Sequence, residues 1–117
     1  MFDKILEKIK ECSRTEVGDR IHEINKESVV VKIEPMSYDG TVCISKLELI
    51  CISRTYESSL LSFDRICEGL DELPDEESEV LDITLESTAI KYDTVSGMTR
   101  LHGVFKCYTE VESNGFN

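Results

Sequence analysis

Apolar residues recur along this chain with two different periods, and the change of period marks its elements. Phe2, Ile5, Leu6 and Ile9 follow helical spacing, and Asp3 sits where a carboxylate favours the positive end of a helix dipole. A helix is therefore predicted from about Phe2 to Cys12. The next stretch, "SRTEVGDRIHEI", stays open between two readings. Val17, Ile21 and Ile24 fit one helical face, while Gly18 argues for an interruption.

"SVVVKIEP" is β-branched and ends at Pro35, which cannot donate to a strand ladder, so a strand is predicted there. "MSYDGT" reads as the turn of a hairpin, because Asp-Gly suits positive backbone φ. "VCISKLELICIS", residues 42–53, is the returning strand. Its first half places Lys46 and Glu48 on one face, whereas Leu49 to Ile52 are all apolar, so both faces must be covered there.

After the polar break "SRTYESS", the residues Leu60, Phe63, Ile66, Cys67, Leu70 and Leu73 form a helical stripe. Ser58 or Ser59 is placed to cap it, and Pro74 is expected to end it in an acidic loop, "PDEESE". Two alternating strands follow. Leu81, Ile83 and Leu85 alternate with Asp82, Thr84 and Glu86, and Leu101, Gly103, Phe105 and Cys107 alternate with Arg100, His102, Val104, Lys106 and Tyr108. "YDTVSG" between them supplies Asp93 and Gly97 for a longer hairpin loop. The tail from residue 111 to 117 is expected to be disordered.

The order α-β-β-α-β-β predicts an α+β class: a single domain over residues 1–117, with a mainly antiparallel sheet, a central helix packed on one of its faces, and an N-terminal helix. Val104 and Tyr108 would then leave an apolar patch on the other face. Either that patch meets another protein or the N-terminal helix covers it.

Length and composition agree with this picture. A chain of 117 residues with 40% hydrophobic and 32% charged content buries a core without disulfides or metal. No apolar run reaches the roughly 20 residues of a membrane helix, and the acidic, amphipathic N-terminus suits neither a signal nor a transit peptide. A soluble, intracellular product with no membrane partner is expected.

Charge changes the picture more. The net charge is −11, and Ile66–Ile90 holds nine acids with no Lys or Arg. Such a field repels phosphate backbones and argues against a nucleic-acid grip, so the stretch reads as a solvated face.

Candidate chemistry is sparse. The five cysteines (Cys12, Cys43, Cys51, Cys67, Cys107) lie 31, 8, 16 and 40 residues apart. Structural zinc ligands usually come in pairs about two to four residues apart. Cys51 falls in an apolar strand and Cys67 on an apolar helix stripe, where cysteine acts as a small hydrophobe. The only histidines are His22 and His102, and His102 lies on the face opposite Cys107, so no thiol–imidazole pair forms within that strand. No Gly-rich phosphate loop, nucleophile elbow or metalloprotease motif occurs. No catalytic residue, metal or cofactor is expected, and the chain reads as a non-enzyme.

The order "KLELICISRTYESSLLSFDRICEGLDEL" followed by "VLDITLESTAIKYDTVSGMTRLHGVFKCYTE" resembles the tail-terminator (tail-completion, minor capsid) proteins of long-tailed bacteriophages. The shared features are the N-terminal helix, the strand ending in "LELICIS", a helix with Ser58 and Ser59 near its start, and the closing hairpin ending in "GVFKCYTE". The resemblance spans roughly residues 28–110. It implies a homo-oligomeric ring, expected to be a hexamer, that caps the tail tube, offers a docking surface to a head-completion protein and lets DNA pass without specific binding. Its setting would be the host cytoplasm during assembly and then the tail–head junction of the virion.

On that reading the hairpin loops with Tyr38, Asp39, Asp93 and Val95, and the face with His102, Val104 and Tyr108, are candidate subunit contacts. Asp71, Glu72, Asp75, Glu76, Glu77 and Glu79 are candidates for an acidic lumen or for the outer surface. The alternatives are a head-completion or connector protein of the phage neck, and a small intracellular binding module unrelated to phage.

Overall fold

The computed structural model describes residues 2–19 and 26–111. In chain order these form α1 (Asp3–Cys12), β1 (Glu16–Gly18), β2 (Ser28–Asp39), β3 (Val42–Ser53), α2 (Tyr56–Glu76), β4 (Val80–Asp93) and β5 (Met98–Glu110). The predicted order α-β-β-α-β-β is found, with the short β1 added inside the stretch whose reading was open. The rest of that stretch, including Ile21, His22 and Ile24, lies outside the described residues, as does the tail from 112 to 117.

The sheet order is β1-β2-β3-β5-β4; β1 pairs with β2 in parallel and every other pair is antiparallel. The last of the described strands, β5, is thus interior, and β4 is an edge.

Alternation along β3 and β5 separates the two faces. Leu47, Leu49, Cys51, Leu101, Phe105 and Cys107 point to the helix side and join Phe63, Ile66, Leu70 and Leu73 of α2 in the main core. Ile5 and Ile9 of α1 are fully buried in that same cluster. Each such side chain contributes about 1.5–3 kcal/mol by leaving water. Because α1 lies beside α2, the N-terminal helix does not cover the opposite face of the sheet. On that face, open in the sense that none of the described helices lies on it, Val30, Ile50, Ile52 and Met98 form a second, smaller buried cluster. The strand that is apolar on both sides therefore feeds two cores.

Several local expectations are corrected. β2 does not stop at Pro35: a register shift between Pro35 and Ser37 accommodates Met36 as a bulge, and pairing resumes to Asp39. The turn is confined to Gly40 and Thr41, with Gly40 at φ +62°. α2 does not stop at Pro74, which sits inside it. Pro74 leaves Leu70 O without its usual helical donor, yet the helix runs on to Glu76, and Glu77 N–H closes the end on Leu73 O at 2.9 Å.

The cap of α2 is Thr55, not Ser58 or Ser59. Thr55 holds extended dihedrals, and its Oγ1 accepts the Ser58 amide at 3.1 Å. Ser59 is instead buried and donates its hydroxyl to Thr99 O at 3.1 Å, tying α2 to β5. Finally, the alternation in β4 buries less than expected. Ile83 is half-buried, but Leu81 and Leu85 are 45% and 44% exposed, because an edge strand with two register shifts lies at the margin of the helix layer.

Candidate assembly surfaces

The residues singled out in the sequence fall into four places, and the register separates them. Val42 pairs with Glu110 at one end of the β3–β5 ladder and Ser53 with Thr99 at the other. The β2–β3 turn therefore lies at one end of the sheet and the β4–β5 turn at the opposite end. Tyr38, 59% exposed, and exposed Asp39 flank the first turn. Asp93 and Val95, the latter 85% exposed, belong to the second.

Asp93 has a local task. Its carboxylate accepts the Val95 amide at 3.0 Å and Arg100 Nη2 at 3.1 Å, and its backbone carbonyl accepts Gly97 N–H at 2.8 Å. Chiefly the Val95 amide, with help from Ser96, holds this carboxyl below the usual aspartate range. Gly97, at φ +71°, supplies the left-handed residue that the loop needs.

His102, Val104 and Tyr108 do share one face, the open one, with Lys106 between the last two and Arg100 ahead of His102. All are half-buried. His102 lies opposite Ile50 on β3 and Ala89 on β4. Burial, then the nearby Lys91 charge, pushes its imidazole below the ordinary histidine range, and its Nε2 has no hydrogen-bond partner.

The acids lie on the other side of the sheet. Asp71, Glu72, Asp75 and Glu76 occupy the last turns of α2, and Glu77 and Glu79 the connection to β4. Glu77 and Glu79 are half-buried, and their carbonyls accept Val80 N–H at 3.0 Å and Glu110 N–H at 2.8 Å. Glu76 is held by Lys8 Nζ at 2.8 and 3.1 Å, a contact that raises the lysine pKa. Asp71, Glu72 and Asp75 are exposed, and the last turn of α2 carries no basic residue. Carboxylates there add to the negative end of the helix dipole.

One feature was missed in the sequence. Lys46 and Lys106 are direct cross-strand partners on the open face. Their neighbours at that level are Glu34 and Thr84, followed along the strands by Glu48 and Val104 in one direction and Ile44 and Tyr108 in the other. Among the described residues, Lys46, Lys106, Glu34 and Glu48 form no ion pair. Lys106 instead stands 5.8 Å over the Tyr108 ring. The alternation put Lys46 on a polar face, but only the long-range register places a second lysine beside it.

The cysteines pack as expected. Cys51 and Cys107 are core residues, and Cys12 and Cys67 are half-buried against that core. Burial pushes the Cys51 thiol up to about 11 and those of Cys67 and Cys107 to about 12. Among the described residues no group of three His, Cys, Asp or Glu side chains is placed to share a metal ion, and no helix is long and apolar enough to cross a membrane.

No protein-family model matches this chain, and no curated protein matches it. Among solved structures it is similar to a chain of the virion of a native gene transfer agent particle. The two share 9% identity over 91% of each chain, with a TM-score of 0.65. At that identity the likeness is one of fold, and it extends across nearly the whole of both chains.

Proposed function

We propose that this chain is a structural subunit of a phage or phage-like virion, and that it acts as a tail terminator: a ring that caps the tail tube and gives the head its docking surface. The observation that carries the reading is the fold shared over 91% of the chain with a component of a gene transfer agent virion. The form of the sheet supports it. One face is covered by α1 and α2, while the other carries no helix among the described residues and presents half-buried Ile44, Val104 and Tyr108 around two lysines. A sheet face of that composition suits contact with protein.

The mechanism is geometric. Subunits meeting through unlike surfaces close into a ring when the rotation between them closes, and the two sides of such a ring face different partners. Here those partners are the tail-tube protein and a head-completion protein, with DNA passing through the centre. No residue is assigned a catalytic role.

Native mass spectrometry of the protein, alone and with tail-tube protein, tests this. A closed oligomer, a hexamer on this reading, is expected, seen as rings at tube ends by electron microscopy. A strict monomer that leaves tube length unchanged would overturn it.

A further inference from the structure

The lysine pair on the open face has a consequence for how copies meet. Like charges directly across an antiparallel pair repel. Lys46 and Lys106 nevertheless stand opposite each other, and no carboxylate of the described residues forms an ion pair with either. Glu34 faces Lys46 from its other side, and Glu48 follows it along β3, yet both leave it unpaired. Half-buried Ile44, Val104 and Tyr108 surround the pair, so its setting is partly apolar.

The complementary surface is on the same chain but on the wrong side of the sheet. Glu68, Asp71, Glu72 and Asp75 are exposed on the carboxyl half of α2, where the helix dipole is also negative. Within one molecule the sheet stands between these carboxylates and the lysines. Between two molecules nothing does.

We propose that Lys46 and Lys106 receive the acidic carboxyl end of α2 from a second copy of this chain. Copies then stack head to tail, the helix layer of one on the open sheet face of the next. The contact covers the face on which none of the described helices lies, supplies the lysines with counter-charges and joins two unlike surfaces, which is the arrangement that propagates around a ring. Asp71, Glu72 and Asp75 thereby serve the joint between copies and not a lumen. This inference rests on the self-assembly proposed above.

Charge reversal tests it. The paired change Lys46→Glu and Lys106→Glu is expected to weaken self-association about tenfold or more in native mass spectrometry at low salt. The set Asp71→Lys, Glu72→Lys and Asp75→Lys should do the same. Mixing the two variants should restore assembly with alternating copies, because each then offers the surface that the other lacks; circular dichroism checks that both are folded. Carbodiimide treatment of the wild type should join Lys46 or Lys106 to Asp71, Glu72 or Asp75 of another copy.

A wild type that assembles but is indifferent to the reversals, or variants that mixing does not rescue, would overturn the inference and leave the ring reading standing. A wild type that is monomeric at every concentration, with or without tube protein, would remove both.

Discussion

Gly103 on β5 faces the ring of Phe63 on α2 so closely that a Cβ at position 103 would stand 2.6 Å from Phe63 Cζ and 3.3 Å from Phe105 Cε1. The two rings lie with centroids 6.1 Å apart and planes tilted by 33°, filling the space that a side chain would need. Gly103→Ala should therefore cost about 1–3 kcal/mol by overpacking. Urea denaturation reads the loss directly. Pairing it with Phe63→Leu, which removes the offending ring, should make the double change less costly than the sum of the two.

A second close approach joins the helices. A Cβ on Gly69 would collide with Cys12 Sγ and touch Lys8 Cε at 3.4 Å. Alanine at a helix interior is worth about 1 kcal/mol over glycine, but the collision outweighs that gain here. Gly69→Ala alone should destabilise the protein. In a Cys12→Ala background the same change should stabilise it, and a double-mutant cycle measures the coupling.

The thiols predict a chemical pattern. With Cys51 at about 11 and Cys67 and Cys107 at about 12, almost no thiolate exists in the folded protein near pH 8. Iodoacetamide should modify these three residues far faster after unfolding in urea than before it. The sign for stability follows. The unfolded chain gives up these protons near pH 9 while the folded chain keeps them, so stability should fall as pH rises from about 9 toward 11–12. Urea midpoints at pH 8 and pH 10 test this.

His102 predicts the opposite slope. Its folded pKa lies below the unfolded value of 6.5, chiefly through burial. The unfolded chain therefore binds a proton that the folded chain refuses, and stability should drop as pH falls through 6.5. Replacing His102 with Leu should flatten this part of the profile. The C2–H resonance of His102 should titrate below the usual histidine range in a proton NMR series.

What the sequence made legible follows from period and spacing. The stripe Phe63–Ile66–Leu70–Leu73 and the alternation Leu101–Gly103–Phe105–Cys107 each report which face is buried, and both faces stand as read. The place of Cys51 in the core and of half-buried Cys67 against it was legible for the same reason. Periodicity says nothing about which strands are neighbours. That β4 is an edge with Leu85 half in water, that three residues around Val17 add a parallel strand, and that Lys46 meets Lys106 all depend on long-range register. Local signals also competed at two points. Ser58 and Ser59 both resemble caps, yet Thr55 is the residue with extended dihedrals; and Pro74 signals an end two residues before the helix finishes.

The interior place of β5 has a last consequence, for what each part of the sheet depends on. β3 and β4 meet along the sheet only through this strand, which follows both in the chain and pairs with each along one of its edges. A chain that stops before Met98 would keep the β2–β3 hairpin and α2, but β4 would be left with its packing on α2 and no strand partner. Such a chain also lacks Lys106 and its register with Lys46, so the face built around that pair exists only when β5 is in place.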